Sequence, residues 1–264
     1  MGYECEIVGT DGKDIGGTLT LAEECLARGD AAGFAIWADN PAFNSFIEKV
    51  GKAGVPVVLP HFPAPEGSIP GASCIISCDP AEYAREIAHR IGQLASGKGT
   101  VAITQGAFIP SENRVAETLT LTLAAEYPEI KVLRPLEEGF DAPGAIAKAV
   151  ALLQGNPEVV AAVSTTGGGP VAWANARRET GRSLFIFGMD YTRANLDLVK
   201  AGEVYAVVGQ PLWEESFGAA ELLARAARGE RLPWWTKLPA PLITQDKLAP
   251  YYELVDKVEA AIKR

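Results

Sequence analysis

The feature that most constrains this chain is a nearly unbroken alternation of short, continuously apolar runs with amphipathic stretches of helical period. Strands are expected at 3–8, 33–38, 55–60, 72–77, 100–105, 131–136, 159–165, 183–190 and 204–210. Between them the spacing predicts helices over 16–29, closed by Gly29, and over 41–54, with Pro41 in its first turn. A third helix covers 79–97, with Asp79 as N-cap, Pro80 at the first helical position and apolar residues at 87, 88, 91 and 94. Further helices are expected over 111–128 and 143–154, from near Pro170, up to Gly202, and over 212–228 and 248–263. Strands that are apolar throughout and separated by helices belong to parallel sheets covered on both faces. Roughly ten strands exceed one open sheet, so the fold class is α/β with two doubly wound parallel-sheet lobes. The Pro- and Gly-rich stretches 59–72 and 232–246 lack periodicity and read as loops.

Composition removes several function classes. With 264 residues the chain can build one large domain or two lobes, each with its own core. A formal net charge of -9 argues against nucleic acid or anionic lipid as a partner, since both select basic surfaces. No apolar run approaches the ~20 residues that span a bilayer. No signal peptide opens the sequence, which suits a cytosolic protein or a mature exported one. Cys74 and Cys78, four apart around a strand, do not form a zinc or redox motif, and buried thiols are the simpler reading. A Cys5–Cys25 bridge is conceivable in an exported protein.

In parallel α/β sheets ligands bind beyond the carboxyl ends of strands. The residues there are Asp39, His61–Phe62, Asp79, Gly106–Phe108 with Arg114, Phe140–Asp141, Thr165–Thr166–Gly167, Asp190 and Gln210, with Trp37 ending its own strand. Carboxylates, amides and a guanidinium can grip vicinal hydroxyls in a fork, while aromatic rings cover the C–H faces of a sugar. Each residue also has a structural alternative. Asp190 could cap the following helix, Phe140 and Trp37 could be core, and Gln210 could cap the helix after Pro211. Arg114 is an unusual choice for a first helical turn, where the dipole disfavours a cation, so a ligand contact is the better explanation. Trp234 and Trp235 read as packing. The glycine-rich segments 9–17 and 165–170 match neither nucleotide fingerprint, although the second could form an anion nest. There is no HExxH, GxSxG or His/Cys cluster, so neither a metal, a cofactor nor a catalytic set is expected.

The run GMD (188–190), DLVKAGEVYAVVGQ (197–210) and PLWEESFGAAELLARAARGE (211–230) resembles the type I periplasmic sugar-binding proteins of ABC importers. So do AGVPVVLPH (53–61), the helix 79–97, 101–133 and 137–165, nearly the whole chain. The resemblance implies two lobes joined by a three-crossing hinge, lobe one at 1–78 and 211–236, lobe two at 79–210 and 240–264. It implies a cleft that closes on a small sugar or polyol, a monomer in the periplasm, and a membrane permease as partner. The family's cleft acid falls on Asp190, its strand-end glutamine on Gln210, its arginine on Arg114 and its stacking aromatic on Phe140; Asp39, His61 and Trp37 would act from the first lobe.

Three departures qualify this. His61–Phe62 stands where an Asp-Arg pair is common, which points to a polyol or pentose in place of a common aldopyranose. Thr-Gly-Gly-Gly stands where Asn-Asp is usual, so the site is roomier there or the Thr165 and Thr166 hydroxyls take over. A strand and helix that precede 3–8 in the family have no counterpart, and a central strand missing from the first sheet would expose ladder groups. Two other readings are the ligand-binding core of a lac-repressor-like regulator and an enzyme using His61 with Asp39 or Asp190 as acid and base.

Overall fold

Helix and strand alternate as the periodicity requires in the computed structural model, which describes residues 2–10, 14–38 and 40–262. The chain begins with α1 (Ile15–Arg28), β1 (Phe34–Ala35), α2 (Asn44–Lys52), β2 (Val57–Pro60) and β3 (Cys74–Ser77). There follow α3 (Pro80–Leu94), β4 (Lys98–Gln105), α4 (Pro110–Glu126), β5 (Glu129–Val132), β6 (Leu136–Glu137) and α5 (Ala142–Gly155). Next come β7 (Val159–Ser164), α6 (Gly169–Thr180), β8 (Phe185–Met189), α7 (Arg193–Lys200) and β9 (Ala206–Val208). The last elements are α8 (Leu212–Ala227), β10 (Trp235–Lys237), β11 (Leu242–Ile243) and α9 (Ala249–Ile262). Two units result: Met1–Asp79 with Pro211–Pro239, and Pro80–Gln210 with Ala240–Arg264.

The first unit holds a four-stranded parallel sheet in the order β1-β2-β3-β10. Alternate strand residues feed opposite cores, as the pleat demands. Val57, Leu59 and Ile75 pack with Phe46, Ile47 and Val50 of α2, whereas Val58, Cys74 and Ile76 pack with Ala219 and Leu222 of α8. Each fully buried aliphatic side chain contributes about 2 kcal/mol. Helix α1 stops where Gly29 adopts the left-handed conformation (φ 74) that a glycine reaches without steric penalty.

The second unit holds a sheet in the order β11-β9-β8-β7-β4-β5, with β6 also pairing β4, parallel except for β11. Ala102, Ala162, Ile186 and Val207 face a core completed by the fully buried Trp173, Leu153 and Leu196. The Trp173 indole N–H donates to Thr104 Oγ1 at 2.9 Å, so its burial leaves no orphaned donor. Helices α3 and α4 pack together, and α4 covers β4 and β5, so this sheet too is doubly wound.

Three expectations need correction. Residues 3–8 form no strand: they are exposed, Ile7 at 96%, and among the described residues β1 pairs only with β2. Alternating apolar residues make a strand only when a neighbour accepts their ladder bonds, and here the segment is held instead by Glu6 against Arg28. The stretch 232–246 is not simply loop, because β10 adds to the first sheet and β11 to the second. The run 131–136 is not one strand; β5 and β6 lie on either side of a break. Among the described residues no helix is long and apolar enough to cross a membrane. Asp39, and residues 11–13 of the glycine-rich segment 9–17, lie outside the described residues.

Two local features carry predictions. A Cβ on Gly71 (φ +90) would sit 2.3 Å from the Ile47 carbonyl oxygen, and one on Gly51 would sit 2.5 Å from Gly71 Cα. Gly71→Ala should therefore destabilise the chain by about 3 kcal/mol, read as a lower urea midpoint. All four cysteines are free, with Cys5 exposed and the other three buried, and burial pushes the Cys74 thiol up to about 11 from 9.0. One thiol, Cys5, should react with an aromatic disulfide in the folded protein, and four after denaturation. The neutral Cys74 thiol contributes its full stability below about pH 9, and this is lost as pH rises to about 11, because the unfolded thiol ionises first. Cys74→Ala should flatten that alkaline decline in urea titrations.

Candidate functional site

A parallel sheet delivers every strand's last residue to the same edge, and in the second unit β4, β7, β8 and β9 are parallel neighbours. At that edge Gly106 follows β4, and its N–H donates to Glu112 Oε2 at 2.6 Å, from the first turn of α4. The same oxygen accepts from Thr165 Oγ1, just after β7, at 2.5 Å. A Cβ on Gly106 would lie 2.5 Å from the Phe140 ring and 2.7 Å from Thr166 Cγ2, so only glycine lets these two side chains flank it. Phe140 is 59% exposed, which removes the core alternative for it. Its neighbour Asp141 is the N-cap of α5, accepting from Gly144 N at 2.8 Å.

Glu138 lies beneath this edge, 2% exposed, and its Oε1 accepts from Ser164 Oγ and Thr166 Oγ1, each at 2.6 Å. Asp190 follows β8 with φ 68, and its carboxylate rests over Gly167, where a Cβ would be 2.3 Å from Oδ2. The buried Asn195 amide nitrogen lies 2.9–3.0 Å from the carbonyls of Gly167, Met189 and Asp190, tying the two strand-end loops together. Thr192 caps α7 by accepting from Asn195 N, so capping does not explain Asp190. The backbone N–H groups of Asp190 and Gln210 both donate to the Val208 carbonyl at 3.0 Å. The α8 N-cap position is Pro211, with no side-chain cap, so Gln210 does not cap that helix. Arg114 is exposed on α4, two positions beyond Glu112.

In the first unit His61 follows β2 with φ 79, its backbone N–H donating to Ile76 O at 2.9 Å. Its Nδ1 lies 3.0 Å from Oε2 of Glu215, a buried carboxylate in the first turn of α8. The His61 ring centroid is 4.7 Å from both the Trp37 and the Phe62 rings. Trp37 is 52% exposed and so not core. Trp234 packs against the first unit's core and its indole nitrogen donates to Ala64 O at 2.8 Å, whereas Trp235 is exposed and its indole nitrogen donates to Ser77 Oγ at 3.0 Å.

Each unit thus collects its own candidates. Asp190, Phe140, Thr165 and Thr166 form one contiguous cluster with Gln210 at the same strand ends, while His61 and Trp37 form another. Three described non-glycine residues have positive φ, and two of them are His61 and Asp190. Such backbone costs energy and persists where surrounding structure imposes it, commonly at binding sites. Sequence reasoning missed Glu112, Glu138 and Glu215. Glu112 and Glu215 carried a faint signal as acids in first helical turns. Glu138 carried none, because only the sheet brings it under Ser164. Among the described residues no group of three or more His, Cys, Asp or Glu is placed to hold a metal ion.

This architecture has relatives. The chain belongs to the family described as periplasmic binding protein domain, whose model matches residues 1–231. A sugar ABC transporter (sugar-binding protein) from Bacillus halodurans is 25% identical, with a TM-score of 0.83 over 90% of this chain and 86% of that one. A glucose-galactose binding protein from Geobacillus stearothermophilus is 19% identical, with a TM-score of 0.83 over 92% and 86%. An ABC transporter solute binding protein from Bacillus halodurans C-125, solved with bound myo-inositol, is 17% identical, with a TM-score of 0.82 over 91% and 83%. No curated protein matches the chain in sequence.

An ionised carboxylate at Glu215 can only accept, so a neutral His61 ring beside it should carry its proton on Nδ1. Nitrogen-15 spectra of the imidazole in mildly alkaline solution should show that tautomer. Glu215→Ala should shift it toward the Nε2–H form, and a wild-type Nε2–H tautomer would refute the assignment.

Proposed function

We propose that this chain is the solute-binding protein of an ABC importer, capturing a small carbohydrate or sugar alcohol outside the cytoplasm and handing it to a membrane permease. It does so as a monomer and makes or breaks no bond. The observation that carries the reading is the second unit's strand-end cluster: an exposed Phe140 ring, the Asp190 carboxylate over Gly167, and the Thr165 and Thr166 hydroxyls beside them. An aromatic face beside charged and hydroxyl groups suits a molecule with apolar C–H faces and many hydroxyls. The aromatic group Trp37–His61–Phe62 of the first unit supplies surface of the same kind. The sugar-binding relatives support the assignment, as does their association with ABC transporters.

A thermal-shift screen of aldoses, pentoses and inositols should identify a ligand that raises the melting temperature by mass action. Against that ligand, Asp190→Gly removes the carboxylate while suiting the local φ, and should weaken binding about 100-fold by calorimetry. Phe140→Ala should weaken it about tenfold through lost ring contact. Circular dichroism should show both variants folded. Unchanged affinity in both would refute the site, and sustained chemical turnover of a bound sugar would refute the binding-protein reading. Gel filtration should return a monomer.

A further inference from the structure

We propose that Asn195 is a positioning residue for ligand binding: its buried amide holds Asp190 in left-handed backbone and so aims the Asp190 carboxylate at the ligand. The inference rests on the solute-binding reading above for its effect on affinity, and goes beyond it by assigning what sets the direction of that acid.

The backbone of Asp190 needs a cause. It ends a strand, where a residue with a Cβ ordinarily keeps negative φ, yet its φ is 68. Ser96 also has positive φ, but it follows the end of α3, a place where left-handed backbone is common. No helix ends at Asp190, so its conformation must be imposed by what surrounds it. The direction of the side chain depends on that conformation. A Cβ on Gly167 would lie 2.3 Å from Asp190 Oδ2 and 3.4 Å from Asp190 Cβ, so the whole side chain rests against this glycine. A return to negative φ would re-aim the Cα–Cβ bond and lift the carboxylate off Gly167.

Asn195 supplies the cause. It is the third residue of α7, and its backbone N–H donates to the capping Thr192 Oγ1 at 3.2 Å. In a capping box that position holds Glu or Gln, whose side chain accepts from the N-cap amide. The Asn195 side chain instead turns back past the cap and donates. Its Nδ2 lies 3.0 Å from both Met189 O and Asp190 O. The first carbonyl belongs to the peptide before the Asp190 Cα and the second to the peptide after it. One nitrogen therefore fixes both peptide planes that define φ and ψ. In extended backbone successive carbonyls point to opposite sides, and a single donor could not reach both. The same nitrogen lies 2.9 Å from Gly167 O, so it also sets the distance between Asp190 and the glycine under it.

Only a donor suits this position. The two amide protons are shared among three acceptors. Asn195 is fully buried, and its Oδ1 accepts no hydrogen bond among the described residues, so the nitrogen alone is used. Reversing the amide would set one oxygen against three others. Aspartate has the shape of asparagine and would do the same.

The test combines nuclear magnetic resonance with calorimetry on the full chain. Left-handed backbone brings an amide proton close to its own Hα, so residue 190 of the wild type should give a strong cross-peak between the two. Asn195→Asp, and Asn195→Ser with its single shorter donor, should weaken that cross-peak. An ordinary cross-peak in the wild type, or a strong one kept in both variants, would overturn the proposal. D-glucose, D-galactose and myo-inositol are then titrated, and the tightest binder is carried through a double-mutant cycle. Asn195→Ser should weaken it about tenfold in the wild-type background but less than about twofold beside Asp190→Gly. Glycine takes left-handed backbone unaided and has no carboxylate to aim. A purely structural amide would cost affinity equally in both backgrounds, and that result would also overturn the proposal. Gly167→Ala, whose methyl would strike Asp190 Oδ2, re-aims the same carboxylate from the other side. It should show the same loss and the same dependence on Asp190, which keeps the test decisive if the Asn195 variants fail to fold. If none of the three probes binds, the solute-binding reading fails, while the cross-peak still decides whether Asn195 holds Asp190.

Discussion

Parallel pairing is the constraint on which the rest of this structure depends. Parallel strands must all exit at one edge, and the connection that brings each back is a helix packed on a face. In the second unit this places the ends of β4, β7, β8 and β9 side by side, so residues as far apart in sequence as Gly106, Thr166, Asp190 and Gln210 become neighbours. In the first unit the same rule puts His61 after β2 within reach of Glu215, which enters at the start of α8. Neither cluster needs a dedicated loop fold; each is the open end of a packed sheet.

Buried carboxylates organise both edges. Glu138 and Glu215 have almost no solvent exposure; one oxygen of Glu138 accepts from Ser164 and Thr166, and one oxygen of Glu215 meets the His61 ring. Glu112 does similar work, holding the loop after β4 and the residue after β7 with one oxygen. Placing a carboxylate in such surroundings is costly unless donors meet it, and the donors here are the groups that line the edge. The edge and its supports therefore stabilise each other. Small residues complete the arrangement, because Gly106 and Gly167 leave the room that Phe140, Thr166 and Asp190 occupy.

Much of this was legible in the sequence wherever a local rule decided the outcome. Period and apolar continuity marked the helices and the parallel strands, and Gly29 ended α1 where left-handed backbone is needed. Asp190 and His61 stood out as strand-end residues, and both take positive φ. What stayed hidden was tertiary. Residues 3–8 have the alternation of a strand but, among the described residues, no strand pairs with them. β10 and β11 are too short for any period to show, and each exists because an edge was open beside β3 or β9. Glu138 is one acid in a pair, and nothing in EEGFD reveals that the second of them is buried under Ser164.

The single carbonyl of Val208 has a consequence for how the second edge can vary. Asp190 and Gln210 both donate their backbone N–H to it, one from the end of β8 and the other from just beyond β9. The two side chains therefore share a mechanical anchor. A bulge or a one-residue slip in β9 would re-aim both at once, and no substitution at either position could restore one without the other. Strand β9 should thus tolerate little drift although its residues are buried, and the two side chains should change in evolution as a pair hung from one peptide group.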